Sequence, residues 1–155
     1  MTKKKAYDVL TLSIPNDSEY ISIVRLMVSG VCSRMNYAVE DIEDIKIAIS
    51  EACTNVVLHA YDCKQEDALR VVVKRFEEKL ELSIQDSGKG FDVKSVLNKK
   101  LNDVDISEDN VGLGLGLNFI HNLMDEVDVK STLNEGTIIT MTKHKKGQSE
   151  DSVEK

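Results

Sequence analysis

The patterning of apolar residues predicts an α+β domain, a two-layer α/β sandwich in which a mixed, mainly antiparallel sheet carries helices on one face. Three observations lead there. Five runs alternate apolar and polar residues as half-buried strands do, and three others space their apolar residues by three and four as amphipathic helices do. Four of the five strand-like runs form two pairs, each joined by a short polar turn, which makes the partners antiparallel neighbours. The order strand, helix, helix, hairpin, loop, helix, hairpin lacks the strict β–α alternation of a doubly wound parallel sheet.

The first strand is expected from Tyr7 to Ile14, where Val9, Leu10, Leu12 and Ile14 supply the apolar residues and Pro15-Asn16-Asp17-Ser18 stops the run with turn and N-cap chemistry. Ile21, Val24, Val28, Val31 and Met35 then form the stripe of a first helix, which Gly30 weakens without ending. A second helix opens at the acidic Val39-Glu40-Asp41 and continues through Ile42, Ile45, Ile49, Cys53, Val56 and Ala60. Leu69 to Phe76 and Leu80 to Gln85 form a hairpin about Glu77-Glu78-Lys79. The segment from Asp92 to Asn110 is polar and reads as a mobile loop with one short helix over 93–100. Gly112-Leu113-Gly114-Leu115-Gly116 is expected to be a glycine-rich loop opening a helix that carries Leu117, Ile120, Leu123 and Met124. Val127 to Leu133 and Thr137 to Thr142 complete the sheet, with Asn134-Glu135-Gly136 as a three-residue turn. The expected organisation is a flexible N-terminus over 1–6, one domain over 7–143 and a charged, disordered tail over 144–155.

The chain has 155 residues, of which 41% are apolar, enough for one ordinary domain with a real core. Twenty Lys/Arg against twenty-seven Asp/Glu leave a net charge of −7, which argues against a nucleic-acid surface, since that needs clustered positive charge. Lys3-Lys4-Lys5 is too short to reverse this balance. No window approaches the roughly 20 apolar residues of a membrane span, and no apolar segment follows the charged N-terminus, so a cytoplasmic protein with no membrane contact is expected. Cys32, Cys53 and Cys63 lack metal-ligand spacing, and are expected to be reduced structural thiols.

Three constellations carry chemistry. Glu51 and Asn55 stand four apart on one face of the second helix, beside its apolar stripe. A carboxylate one turn from an amide suits polarisation of a nucleophile and an oxygen ligand for Mg²⁺, and equally a solvated face with an i,i+4 hydrogen bond. His59 reads as a packing residue without a role. Asp86-Ser87-Gly88-Lys89-Gly90 follows a strand directly, placing an acceptor carboxylate beside unencumbered backbone, which suits an adenine amine, or simply an Asx-capped turn. Gly112 to Gly116 sets backbone N–H groups before a helix, where phosphate oxygens could sit, or serves as a half-buried linker. It is neither a Walker A loop, having no Gly-Lys-Ser/Thr, nor a Rossmann fingerprint, since no βαβ unit surrounds it.

The order of the three is jointly specific. Glu51-Ala52-Cys53-Thr54-Asn55 with its continuation to Tyr61, then Asp86-Ser87-Gly88-Lys89-Gly90-Phe91-Asp92, then Gly114-Leu115-Gly116-Leu117 with Leu123 to Val127, resembles the N, G1 and G2 boxes of the ATPase superfamily of gyrase, Hsp90, histidine kinases and MutL (GHKL, or Bergerat fold). Within it the chain is most similar to the stand-alone anti-sigma-factor serine-protein kinases of the anti-sigma-B type, from about Asp8 to Thr142. That resemblance implies ATP and Mg²⁺ as cofactors, with Glu51 as the general base and Asn55 as the Mg²⁺ ligand. It implies Asp86 as the reader of adenine, Gly88 and Gly90 as the wall beside it, residues 91–111 as the lid, Gly112, Gly114 and Gly116 at the phosphates, and Thr137 as support for the adenine pocket.

The implied function is an ATP-dependent serine/threonine-protein kinase and anti-sigma factor. It would bind and inhibit a stress (sigma-B-type) sigma factor, phosphorylate a serine of a small STAS-type anti-anti-sigma protein, and act as a homodimer. One departure from the family pattern stands out: no Lys or Arg occurs between Lys100 and Lys130, where the family usually carries an arginine just before the second glycine box. That departure supports the alternative of an ATP-gated anti-sigma binding module with weak or no kinase activity. A histidine-kinase-like catalytic domain is less consistent, because no helix with a phospho-accepting histidine precedes the nucleotide boxes.

Overall fold

The computed structural model describes residues 6–57, 68–86, 109–132 and 136–146. Gly88, Gly90, His59, Cys63, residues 91–108 of the expected lid, the expected helix over 93–100 and the tail beyond Lys146 lie outside the described residues. In chain order the elements are β1 (Asp8–Pro15), a 3-10 turn (Ser18–Tyr20), α1 (Ile21–Arg34), α2 (Val39–Asn55), β2 (Ala68–Arg75), β3 (Lys79–Asp86), α3 (Asp109–Leu123), β4 (Glu126–Thr132) and β5 (Gly136–His144). The five strands lie in the order β1-β2-β3-β5-β4, and every pairing among the described residues is antiparallel.

Register explains the core. Because side chains alternate between faces, cross-strand partners share a face. One row runs Leu12, Val71, Ile84, Ile139, Val129, and the next runs Leu10, Val73, Leu82, Met141, Val127. These rows bury against Val24 and Val28 of α1, Ile45, Ile49 and Cys53 of α2, and Leu117 and Ile120 of α3. Each fully buried Val, Leu or Ile contributes roughly 1.5–3 kcal/mol, so the helical stripe seen in the sequence is the stripe that anchors each helix. The Cys32 and Cys53 thiols are buried, and desolvation pushes both up to about 12, which fits structural cysteines.

Local signals set the element ends. Asp17 caps the 3-10 turn, its carboxylate accepting from Glu19 N–H at 3.0 Å. Helix α1 stops where Asn36 takes a left-handed φ of 59°, a conformation asparagine tolerates better than most residues.

Two boundaries differ from the sequence expectation. The glycines Gly112, Gly114 and Gly116 fall within α3, which begins at Asp109, and not in a loop before it. The spacing of Leu113, Leu117, Ile120 and Met124 carries the helical period upstream through the glycines, whose low propensity does not end it. The last hairpin turns one residue earlier than expected, because Gly136 already pairs with Thr132 and takes a φ of 106° that glycine alone adopts readily.

The folded part also extends past Lys143, the expected end of the domain. Lys143 is 8% exposed, and its ammonium donates to the Leu123 carbonyl at 2.7 Å, at the end of α3, while standing 3.9 Å from the Asp41 carboxylate in the first turn of α2. Lys146 approaches the same carboxylate at 3.6 Å, the Tyr37 hydroxyl donates to the Lys143 carbonyl at 2.6 Å, and Lys145 N–H bonds the Glu78 carbonyl at 2.8 Å. One buried ammonium thus ties β5 to the end of one helix and the start of another, each of the polarity the helix dipole favours. Burial pushes the Tyr37 phenol well above its usual range, so it stays a donor. Asp41→Ala is expected to cost about 3 kcal/mol, because it strips a buried charge of its counter-ion. Urea unfolding with an unchanged m-value would show it, and a loss below about 1 kcal/mol would mean the pair behaves as a surface one.

Candidate functional site

Asp41 and Leu123 both meet Lys143, so α2 begins, and α3 ends, at the end of the sandwich where β5 finishes. From Asp41 to Asn55 the helix rises about 21 Å, and from Lys143 back to Thr137 the strand runs about 20 Å. The end of α2, the first half of α3, the end of β3 and the start of β5 therefore lie towards the opposite end. All described candidate residues lie there.

Asn55 closes α2 and is 4% exposed, yet its Nδ2 has no hydrogen-bond partner among the described residues. Gly116 of α3 lies directly against it: a Cβ at 116 would stand 2.6 Å from Asn55 Nδ2 and 2.8 Å from Oδ1. Only glycine permits this approach. An unpaired buried amide costs about 1–3 kcal/mol, which is the expected mark of a group kept for a ligand. Glu51 stands one turn earlier on the same helix face, half-buried, with no ion-pair partner among the described residues.

The second cluster is a row across three strands. Asp86, the last residue of β3, is the register partner of Thr137, which is in turn the partner of Ser131 on β4. The row continues the inner face, so its apolar residues give way to polar ones where the sheet meets the site. Thr137 is 1% exposed, and its Oγ1 is 2.8 Å from Ser131 Oγ.

The described residues contain no group of three His, Cys, Asp or Glu able to hold a metal. In Asn55 the Oδ1 is the atom that could serve as an oxygen ligand for Mg²⁺, whereas the unpartnered Nδ2 is a donor and fits a phosphate oxygen. No described helix is long and apolar enough to cross a membrane.

The histidine kinase-like ATPase domain family matches residues 14–143. The serine-protein kinase RsbW of Bacillus velezensis is 42% identical over 151 residues, covering 93% of this chain and 90% of that protein. The chain belongs to the RsbW family of serine-protein kinases. RsbW of Bacillus cereus is 41% identical over 143 residues, covering 89% of this chain and 86% of that protein. A crystal structure of the RsbU and RsbW domains of a Mycobacterium tuberculosis protein matches with a TM-score of 0.64 at 19% identity, over 89% of this chain and 32% of that longer one. This last likeness is one of fold. The two-layer architecture with helices on one face is thus the architecture of RsbW and its ATPase relatives.

Of the residues that the resemblance implies for the site, Glu51, Asn55, Asp86, Gly112, Gly114, Gly116 and Thr137 are described and lie towards one end of the sandwich. Sequence reading missed Ser131 and Lys143. Pairing symmetric about Asn134 would have set Ser131 opposite Thr137, but a turn read one residue late hides that partner. Nothing local distinguishes Lys143 from the half-buried Lys145 and the exposed Lys146 beside it.

Proposed function

We propose that Glu51, Asn55, Asp86 and Thr137 build the ATP site of this serine-protein kinase, with Gly88, Gly90, Gly112, Gly114 and Gly116 forming its backbone walls. The observation that carries this reading is the packing of Gly116 on the buried Asn55 amide, which joins the helix bearing Glu51 to the glycine-rich helix. Asp86 accepts the adenine amine, and Thr137 supports the base from the neighbouring strand. Asn55 would hold Mg²⁺ through Oδ1, and the ion would supply positive charge at the phosphates. Glu51 takes the proton from the substrate serine as its Oγ attacks the γ-phosphorus, the bond to the bridging oxygen breaks, and ADP leaves.

The substrate in this reading is a serine of a small STAS-type anti-anti-sigma protein, and the same kinase holds a sigma-B-type sigma factor inactive. Phosphorylation adds up to about two negative charges, which a chain of net charge −7 repels, so the modified antagonist leaves and the sigma factor is held. The folded unit is a single nucleotide-binding domain. Two copies associate through α1 and the edge strand β1: Leu26 is 74% and Val9 58% exposed, and a groove of about 560 Å³ lined by Val9, Leu10, Met27, Gly30 and Arg34 runs between them.

The test is transfer of labelled γ-phosphate from Mg·ATP to the purified antagonist encoded in the same genome. Labelled phosphoserine is the expected product. ATP binding without transfer would favour the nucleotide-gated binding module, for which the absence of Lys and Arg between Lys100 and Lys130 speaks. Sedimentation at working concentration should show a dimer, and a monomer alone would remove the α1–β1 interface.

A further inference from the structure

We infer that Lys143 is a remote positioning residue for ATP: its ammonium fixes how α3 sits along α2, and so sets the contact of Gly116 with Asn55 at the other end of the same two helices. This rests on the reading of that contact as part of the ATP site. The helices run antiparallel. α2 begins and α3 ends beside Lys143, whereas Gly116 of α3 meets Asn55, the last residue of α2.

Two kinds of contact hold α3. Leu117, Ile120 and Met124 bury against the core, and burial is non-directional, so it sets the depth of the helix over the sheet more firmly than its position along α2. The directional bonds lie at its end. Asp125 N–H donates to the Thr142 carbonyl at 3.0 Å, and the Asp125 carboxylate accepts from His144 N–H at 2.7 Å, which ties the turn after α3 to β5. Lys143 extends this tie to α2, donating to the Leu123 carbonyl at 2.7 Å from a place 3.9 Å from the Asp41 carboxylate. From Gly116 onward, no other hydrogen bond or ion pair among the described residues joins α3 to α2. The two side chains are 10% and 5% exposed, so water screens the pair little. Gly116 lies two turns before Leu123, about 10 Å along a stiff helix, so a displacement at the anchored end reaches it. The tolerance there is small, because a Cβ at 116 would already stand 2.6 Å from Asn55 Nδ2. A slide of α3 therefore changes the seat of the amide that meets the nucleotide.

Lys143→Met is the test variant. Methionine keeps the unbranched stem, and Asp41 retains Lys146 at 3.6 Å, so no buried charge is stranded and the domain is expected to fold. Titration with a fluorescent ATP analogue gives the Kd and the number of sites for the full chain as parent, Lys143→Met, Gly116→Ala, the double variant and Val73→Ala, a truncation at a buried position of β2. Lys143→Met is expected to raise the Kd by about 3- to 10-fold, the scale of one hydrogen bond, with the number of sites unchanged. In the Gly116→Ala background, where the seat is already displaced, the same change should raise it by less than about twofold, the scatter of independent sites. Val73→Ala should leave the Kd at the parent's value. A merely structural role would instead lower the number of sites at the parent's Kd, and that result would overturn the proposal. An unchanged Kd in Lys143→Met, an equal effect in both backgrounds, or a Val73→Ala effect as large would each overturn it too. Should Lys143→Met not fold, Asp41→Asn, which keeps the shape and removes the α2 half of the bridge, carries the same expectations. The underlying reading fails separately: a Gly116→Ala variant that binds as the parent does would remove the Asn55–Gly116 contact from the ATP site, and the proposal with it.

Discussion

Glu51→Ala is expected to lower phosphoryl transfer by about 10²- to 10⁴-fold, the usual contribution of a positioned general base, while the affinity for ATP stays within about twofold. The separation follows from placement. Glu51 is half-buried one helical turn from Asn55 and has no ion-pair partner among the described residues. Removing it leaves the Asn55–Gly116 contact and the Asp86–Thr137 row intact. Glu51→Gln, which keeps the shape and loses the basicity, should be impaired to a similar degree. Labelled-phosphate transfer and a fluorescent nucleotide titration measure the two quantities independently. A parallel fall in both, or full transfer by either variant, would take the general-base role away from Glu51.

Gly116→Ala should reduce transfer by about 10²-fold, the cost of moving a positioned group by roughly 1 Å, and should weaken ATP binding as well. The added Cβ would meet Asn55 Nδ2 at 2.6 Å and Cγ at 3.1 Å, so the amide must swing away from the place where it would meet Mg²⁺ and phosphate. Alanine is the better helix former by about 1 kcal/mol, so the fold is expected to survive and the damage to be local. Gly30 provides the contrast, because a Cβ built there meets nothing within 4 Å. Gly30→Ala in α1 should therefore gain up to about 1 kcal/mol within the single chain and leave the Asn55–Gly116 contact untouched. Thermal unfolding run beside the transfer assay distinguishes the two glycines, and a Gly116→Ala enzyme of full activity would show that Asn55 can yield without consequence.

Much of the candidate site is legible in the sequence because its parts are local. Glu51 and Asn55 are four residues apart, and a 3.6-residue period puts them on one face wherever the helix lies. Asp86 ends an alternating run, and a strand that ends in a polar residue opens onto solvent or a ligand. The register row through Leu82, Met141 and Val127 was present in the alternation of three separate segments before their pairing was known. The resemblance to the kinase family then supplied the roles, which spacing alone left open.

What the sequence by itself determined is which residues form each element and which face of each is apolar, since both follow from the chain's own period and need no partner. Tertiary structure alone decided which apolar faces meet. It placed β5 between β3 and β4, so that Thr137 stands between Asp86 and Ser131, and it laid Gly116 against Asn55 across 60 intervening positions of chain. It also buried Lys143 among Leu123, Asp41 and Tyr37, although lysine is ordinarily a surface residue. These outcomes depend on groups far apart in sequence that become neighbours only when the core closes, and no local pattern encodes a neighbour that arrives from another element.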